Sequence, residues 1–234
     1  MASPRNIFVL TGAGVSAESG LGTFRDRGGM WSRFDPMTLA TPEAFARDPA
    51  LVHEFYNLRR SGVIAAAPNP AHTALAALET HLRDRGGALF LCTQNVDDLH
   101  TRAGNRAVMH MHGELLKARC LACETVHPWR DDLFVGTPCP ACNRAGSLRP
   151  DIVWFGEMPK HLEAIDAALR TADVFVAVGT SGAVYPAAGY VAQARTLGIR
   201  TWELNLEPSD NARLFDAARY GPASVVVPEF ITAL

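Results

Sequence analysis

Short apolar runs recur along the chain, each closed by glycine, proline or polar residues, and longer stretches with apolar positions three and four apart lie between them. The run Asn6-Ile-Phe-Val-Leu10 is short, β-branched or apolar after Asn6, and reads as a buried strand. Further strands are expected over 88–93, 107–109, 174–179, 200–205 and 224–227. Helical spacing is expected over 70–85, 96–103, 158–171, 186–197 and 211–218. Short strands alternating with amphipathic helices indicate an α/β fold: a Rossmann-like parallel sheet with helices on both faces.

Two stretches break the alternation. Residues 36–67 look helical throughout, and residues 116–150 mix cysteine with proline, glycine and arginine. Together they are expected to form a smaller helical and zinc-ribbon lobe, made of two insertions. The larger domain would then comprise 1–35, 68–115 and 151–234, with a cleft between the two.

The 234 residues are 48% hydrophobic, as in an ordinary globular protein, which argues against disorder. Twenty-two basic residues against twenty-four acidic give a net charge of −2, so no broad basic field for nucleic acid is expected. No apolar run approaches the ~20 residues of a membrane helix, and the chain enters a strand almost at its start. These features suggest a cytoplasmic protein without membrane or nucleic-acid partners.

Four cysteines stand as Cys120-x2-Cys123 and Cys139-x2-Cys142, with fifteen residues between the pairs. Paired knuckles at this spacing suit tetrahedral Zn²⁺. Two disulfides are the alternative, and they would need an oxidising compartment. Four thiolates fill the tetrahedron and leave no place for water, so one structural ion is expected. Cys92, inside an apolar run, is expected in the core.

Gly12-Ala13-Gly14-Val-Ser-Ala17 follows the first strand and fits G-x-G-x-x-G/A. On that pattern Gly12 permits the turn, Gly14 lets backbone N–H groups approach a pyrophosphate, and Ala17 allows close helix–strand packing. The usual acidic residue about twenty positions on is not evident; a long polar loop carrying Trp31 follows instead. Thr93-Gln94-Asn95-Val96-Asp97 begins where the 88–93 strand ends, so Asn95 and Asp97 can project from the strand end, or one of them can cap the helix that follows. His110 and His112 alternate in a strand-like stretch. Gly113 suggests close backbone approach beside His112, which favours His112 as the functional imidazole. Gly179, Thr180 and Ser181 at one strand end offer phosphate donors, and Asn205 and Glu207 at another offer acceptors for ribose hydroxyls.

In order along the chain, Gly12–Gly20, Thr23-Phe24-Arg25, Thr93–Asp97, His112-Gly-Glu114, the four cysteines, Val153-Trp-Phe-Gly-Glu157, Gly179–Ser181 and Asn205-Leu206-Glu207 resemble the motif series of the sirtuins, NAD-dependent protein-lysine deacylases. The similarity covers essentially the whole chain and is greatest to bacterial members of the class III, desuccinylase-like group. Gly22 stands where that family usually has Pro, and Asp98 where Asn is common. The resemblance implies that NAD is consumed, with release of nicotinamide and O-acyl-ADP-ribose.

It also implies roles. His112 would be the general base, with Asn95 orienting ribose and water and Asp97 holding the nicotinamide carboxamide. Gly12, Ala13, Gly14, Ala17, Glu18, Thr23, Phe24, Arg25, Trp31, Gln94 and Val96 would line the cofactor. Gly179, Thr180, Ser181, Asn205, Leu206, Glu207 and Ala223 would hold its phosphates and adenosine. Val153 and Phe155 would border the acyl-lysine tunnel of a protein or peptide substrate. Tyr56 and Arg59, three apart on one helical face, would grip the terminal carboxylate of succinyl- or malonyl-lysine, with Ala40 leaving room. The resemblance suggests a monomer with both deacetylase and desuccinylase activity. The alternatives are a hydride-transferring dehydrogenase, an ADP-ribosyltransferase and a non-catalytic NAD-sensing module. A dehydrogenase would want a relay such as Tyr-x-x-x-Lys, and no tyrosine here has lysine four positions on.

Overall fold

A computed structural model describes residues 4–22 and 36–234. Its centre is strand β1 (Asn6–Thr11), whose alternate side chains are buried on opposite faces. Around it run β2 (Ala88–Thr93), β3 (Val108–His110), β7 (Val174–Val178), β8 (Arg200–Asn205) and β9 (Ala217–Tyr220), all parallel, in the order β3-β2-β1-β7-β8-β9. Ile7 and Val9 pack with helices α5 (Pro70–Asp84) and α9 (Ala223–Thr232) through Leu75, Leu78, Leu82, Val226, Val227 and Phe230. Phe8 and Leu10 pack on the other face with α7 (Leu162–Arg170) and α8 (Tyr190–Thr196) through Ile165, Leu169, Tyr190 and Val191. Cys92 is fully buried in that second layer, as expected.

Between β1 and β2 the chain inserts α1 (Gly14–Ala17), α2 (Pro36–Leu39), α3 (Pro42–Arg47) and α4 (Pro49–Ala65) ahead of α5. Asn69 begins α5 with a capping box: its Oδ1 accepts from Ala71 N, and its own N–H donates to His72 Nδ1. Between β3 and β7 lies a separate antiparallel sheet, in the order β5-β4-β6, of β4 (Gly113–Cys120), β5 (Val126–Pro128) and β6 (Leu148–Ile152). The short helix α6 (Leu99–Ala103) follows β2. Among the described residues, no helix is long and apolar enough to cross a membrane.

Two sequence expectations are overturned. The β-branched stretch 224–227 is not a strand but the start of α9. Pro222 precedes it, Glu18 caps it through the backbone N and hydroxyl of Ser224, and Val226, Val227 and Phe230 fall on one helical face against the sheet. The stretch 211–218 is not a helix: a 3-10 turn, Ala212–Leu214, leads into β9. Here Asp216 accepts from the backbone N and hydroxyl of Thr201, and the Tyr220 hydroxyl donates to the buried Glu203 carboxylate. These long-range bonds override local helix propensity. The remaining elements shift by a few residues at their ends, apart from 186–197, which opens with a 3-10 turn before α8.

Candidate active site

In an open parallel sheet, ligands bind beyond the carboxyl ends of the strands, where the strand order reverses. Here that point lies between β1 and β7, beside Thr11 and Val178. The turn after β1 is pressed against the turn after β7. A Cβ on Gly14 would lie 2.7 Å from Gly179 Cα, and one on Gly12 would lie 2.8 Å from Gly179 O. Gly12 N–H donates to Val178 O and Gly14 N–H to Gly179 O, at 2.9 and 2.8 Å. The glycines therefore serve turn-to-turn contact, and the N–H of Gly14 itself is engaged by Gly179 O. Ala17, expected in helix–strand packing, is exposed. Gly179 takes over the close approach, with φ +61 and no room for a Cβ against Val15 N.

The segment after β2 enters the same crevice. Gln94 Nε2 donates to Thr180 Oγ1 at 3.1 Å, and Asn205 Nδ2 donates to Thr180 O at 2.8 Å. The ends of β2, β7 and β8 are thus tied together. Asn95 is buried and its Nδ2 donates to Gly12 O and to Ser16 Oγ, each at 3.1 Å. The Ser16 hydroxyl donates to Asp97 Oδ2 at 3.1 Å. His72 Nε2 lies 3.4 Å from the same hydroxyl. Because His72 Nδ1 accepts from the Asn69 backbone, its proton sits on Nε2 and points to Ser16. Ser16 thereby uses both lone pairs and its proton to fix Asn95 against Asp97.

Asp97 is also the local cap weighed as an alternative, because its Oδ1 accepts from Leu99 N at the start of α6. Burial raises its pKa, opposed by the Leu99 and Ser16 hydrogen bonds. Behind it, His100 Nε2 donates to Thr11 Oγ1 at 3.0 Å, and Thr11 Oγ1 donates to Thr93 Oγ1 at 2.8 Å. Thr93 Oγ1 in turn accepts from Asn95 N at 3.0 Å.

The same segment runs beside residues 111–115. Met111 N–H donates to Thr93 O and Leu115 N–H to Val96 O. His112 lies in the turn between β3 and β4, not within a strand as its alternation with His110 suggests. Its Nδ1 is 3.0 Å from Gln94 O. A carbonyl only accepts, so Nδ1 carries the proton and Nε2 is the basic nitrogen. Burial lowers the His112 pKa below the ordinary imidazole value, against the pull of the Gln94 carbonyl. His112 is half-buried, whereas His110 is buried beneath the crevice. Gly113 has φ +79, and a Cβ there would lie 2.0 Å from Asp151 O, which is the close approach its position suggested.

Val153 N–H donates to His112 O, and Phe155 N–H donates to Ala40 O, both at 2.9 Å. This brings Val153 and Phe155 alongside His112 and the start of the helical insertion. Tyr56, on α4, is buried, and its hydroxyl accepts from Trp154 Nε1 at 2.9 Å. The Arg59 guanidinium lies 5.7 Å from the Tyr56 ring centre and 5.6 Å from that of Phe55.

Not every expected residue is brought to the crevice. The exposed Glu18 carboxylate holds Ser224, and Ala223 begins α9 beside it. Leu206 and Glu207 are exposed beyond β8. Val96 and Ser181 are half-buried in the turns after β2 and β7. Thr23, Phe24, Arg25 and Trp31 lie outside the described residues. Sequence reasoning assigned no role to Ser16, His72 or Trp154. Ser16 and Trp154 sit inside motifs that it quoted, and Asn69-Pro70 three residues before His72 is a readable helix start.

At the far end of the antiparallel sheet, the thiols of Cys120, Cys123, Cys139 and Cys142 lie within 4.8 Å of one another. Cys120–Cys142 and Cys123–Cys139 Sγ separations are 3.7 and 3.8 Å, and all four cysteines are free, which excludes the disulfide alternative. Four ligands at about 2.3 Å from a tetrahedral ion stand about 3.8 Å apart. The four thiols are positioned to hold one structural zinc.

A doubly wound sheet of this strand order is a dinucleotide-binding architecture, and that is the class in which sheet and crevice place the protein. Comparison narrows it: residues 12–186 match the model of the Sir2 family, and the chain belongs to that family. It is 59% identical over 228 residues to an NAD-dependent protein deacylase of Caulobacter vibrioides, covering 97% of this chain and 96% of that protein. An NAD-dependent protein deacylase of Leishmania major is 52% identical over 234 residues, covering 99% and 96%. A solved Sir2 homologue–NAD complex superposes with a TM-score of 0.87 at 38% identity, covering 99% of this chain and 90% of that one. A Sir2 variant with a deacetylated p53 peptide and 3'-O-acetyl ADP ribose gives 0.78 at 28% identity, covering 98% and 92%.

Proposed function

We propose that this protein is an NAD-dependent protein-lysine deacylase, with His112 as the general base. The observation that carries this reading is the His112–Gln94 hydrogen bond. It puts the proton on Nδ1 and the free electron pair on Nε2, beside the segment bearing Asn95 and Asp97. A lowered pKa keeps that nitrogen unprotonated at neutral pH, ready to take a proton from a ribose hydroxyl. NAD supplies the ADP-ribosyl group that accepts the acyl group as nicotinamide leaves. Asn95, its Nδ2 held by Gly12 and Ser16, has its Oδ1 as the acceptor to orient ribose and water. Asp97 keeps acceptor capacity for a carboxamide N–H beyond its bonds to Ser16 and Leu99. Gln94, Thr180 and Asn205 hold together the strand ends on which phosphates and adenosine rest. Val153 and Phe155 border the acyl-lysine.

For the acyl group, Tyr56 and Arg59 form a carboxylate clamp. Their neighbour Arg60 is buried and bonded to Asn57 and to Leu115 O, so this side of α4 is not a solvated charge face. Succinyl- and malonyl-lysine are therefore substrates alongside acetyl-lysine.

The test is a panel of acetyl-, succinyl- and malonyl-lysine peptides incubated with NAD and read by product mass. Expected are nicotinamide, free lysine and O-acyl-ADP-ribose. His112→Ala should lower kcat by about 10²–10⁴-fold while NAD still binds. Reduced cofactor, or labelled protein with intact acyl-lysine, would replace this reading with a dehydrogenase or an ADP-ribosyltransferase. NAD binding without turnover of any peptide by the unaltered protein would leave a sensing module.

A further inference from the structure

Trp154 enters the site through a single polar atom. Its indole N–H crosses from the segment after β6 to the Tyr56 hydroxyl on α4, 2.9 Å away and ninety-eight positions apart in sequence. Both side chains are fully buried, and their rings stack 6.3 Å apart at 28°. Apolar packing alone asks only for a ring at this position. A buried N–H aimed at a phenol oxygen is a more specific arrangement.

The indole is held in that orientation from behind. The Arg149 guanidinium carbon sits 3.3 Å from the Trp154 ring centre. Its two terminal nitrogens pair with both Glu157 oxygens at 2.6 and 2.9 Å. Glu157 Oε2 also accepts from the Trp154 backbone N–H at 2.8 Å, closing a loop around the residue. Rotating the indole would break contacts on two sides.

A phenol oxygen has two acceptor lone pairs and one proton to give. Trp154 fills one lone pair, and the Arg59 guanidinium stands beside the same ring, 5.7 Å from its centre. With a donor already on its oxygen, the hydroxyl is free to give its proton elsewhere. Burial holds the Tyr56 pKa above its ordinary value, so the proton is present at neutral pH. An acetyl group ends in a methyl and has no use for that donor. An acyl group ending in a carboxylate accepts from it and from Arg59 together.

We infer that Trp154 is a specificity-positioning residue: its indole N–H occupies one acceptor site of the Tyr56 phenol and so directs the phenol proton to the terminal carboxylate of succinyl- or malonyl-lysine. This rests on the carboxylate clamp described above. Because the contact is made away from the reacting atoms, its loss should appear in KM for the carboxylate-bearing substrate more than in kcat.

The experiment replaces Trp154 by Phe, and separately by benzothienylalanine, which keeps the indole shape and lacks the N–H. Each variant is assayed on acetyl- and succinyl-lysine peptides, alone and combined with Tyr56→Phe. Expected is a fall of roughly five- to tenfold in the succinyl-to-acetyl ratio of kcat/KM, carried by succinyl-lysine KM, with acetyl-lysine turnover retained. In the Tyr56→Phe background the same replacements should change the ratio less than twofold, because the acceptor they serve is gone. Equal losses on both substrates would make Trp154 a packing residue and overturn the inference. A Phe variant that fails to fold leaves the benzothienyl variant to decide. If Tyr56→Phe lowers the ratio but neither replacement of Trp154 does, the clamp stands and this inference falls. If Tyr56→Phe leaves the ratio unchanged, the clamp itself falls, and the positioning role with it.

Discussion

On the six-stranded sheet, neighbouring residues of β1 bury themselves in opposite layers, Ile7 and Val9 in one and Phe8 and Leu10 in the other. Helices cover both layers, and each holds about fifteen buried apolar side chains among the described residues. On the three-stranded sheet, the buried cluster at the cysteine end is Ala118, Cys120, Leu133, Cys139 and Leu148. Two of those five are thiols that face the zinc position. One region is held by apolar area removed from water, and the other lacks enough of it to stand without a metal. The near end of β4 belongs to neither extreme: Leu115 joins Phe55, Tyr56, Ile152 and Trp154 in a shared core. His112 sits in the turn just before that strand, so the proposed general base is placed where the self-sufficient region meets the stapled one.

The most severe way to break this comparison is to withdraw the metal. Structural zinc in small domains contributes about 10–16 kcal/mol, so chelation or Cys139→Ser should unfold the cysteine end of the small sheet outright. Hydrogen exchange is the readout. Backbone amides of 118–128 and 139–148 should lose protection, while those of β1, β2 and β7 keep it. Simultaneous loss of protection in β1 would mean that the two regions fold as one unit.

Acid probes the other region. His72 and His100 are buried with ring centres 4.8 Å apart, and His110 and Asp97 lie close by. Burial lowers the His72 pKa to about 4, and that of His53, on α4, to about 4 with help from Arg60. Their folded values are depressed, so the stability they permit is present above the unfolded value near 6.5 and is lost as pH falls toward 4. Each is worth up to about 3 kcal/mol. Asp97, whose pKa is raised, runs the other way and offsets part of the loss. Urea unfolding with bound metal monitored should show stability falling through this window, and His72→Gln, which keeps a donor for Ser16, should flatten the slope. A profile flat from pH 6.5 to 4 would show that these imidazoles accept protons as freely as exposed ones.

The same contrast explains what was legible in the sequence. Apart from the edge strand β9, the strands of the parallel sheet announce themselves because a strand buried on both faces is an unbroken apolar run, as in Val174–Val178. The four cysteines are legible because tetrahedral coordination dictates their spacing. The strands they staple went unseen: β4 and β6 carry Lys117, Arg119, Arg149 and Asp151, and their pairing is fixed by contacts distant in sequence. The site divides in a similar way. Asn95, Asp97 and His112 are readable as chemistry-bearing types at strand ends. Ser16, which orients two of them, is readable only once Asn95, His72 and Asp97 are known to converge on its hydroxyl. The error at 224–227 has the same cause, since Ser-Val-Val-Val favours a strand until a carboxylate from α1's end caps it.

That carboxylate gives the smallest and most pointed prediction. Glu18 belongs by resemblance to the cofactor side, yet its two oxygens accept from Ser224 N at 2.8 Å and Ser224 Oγ at 2.7 Å. A negative charge at a helix N-terminus with a backbone N–H satisfied is a cap, worth about 1 kcal/mol. Glu18→Gln keeps one acceptor and loses the charge, so thermal unfolding should move down by about 2–4 °C. If the carboxylate serves only α9, KM for NAD changes less than twofold. If it reaches the adenosine end of the crevice as well, KM rises while the midpoint moves as before. A variant with an unchanged midpoint and a raised KM would remove the cap from the account and return Glu18 to the cofactor.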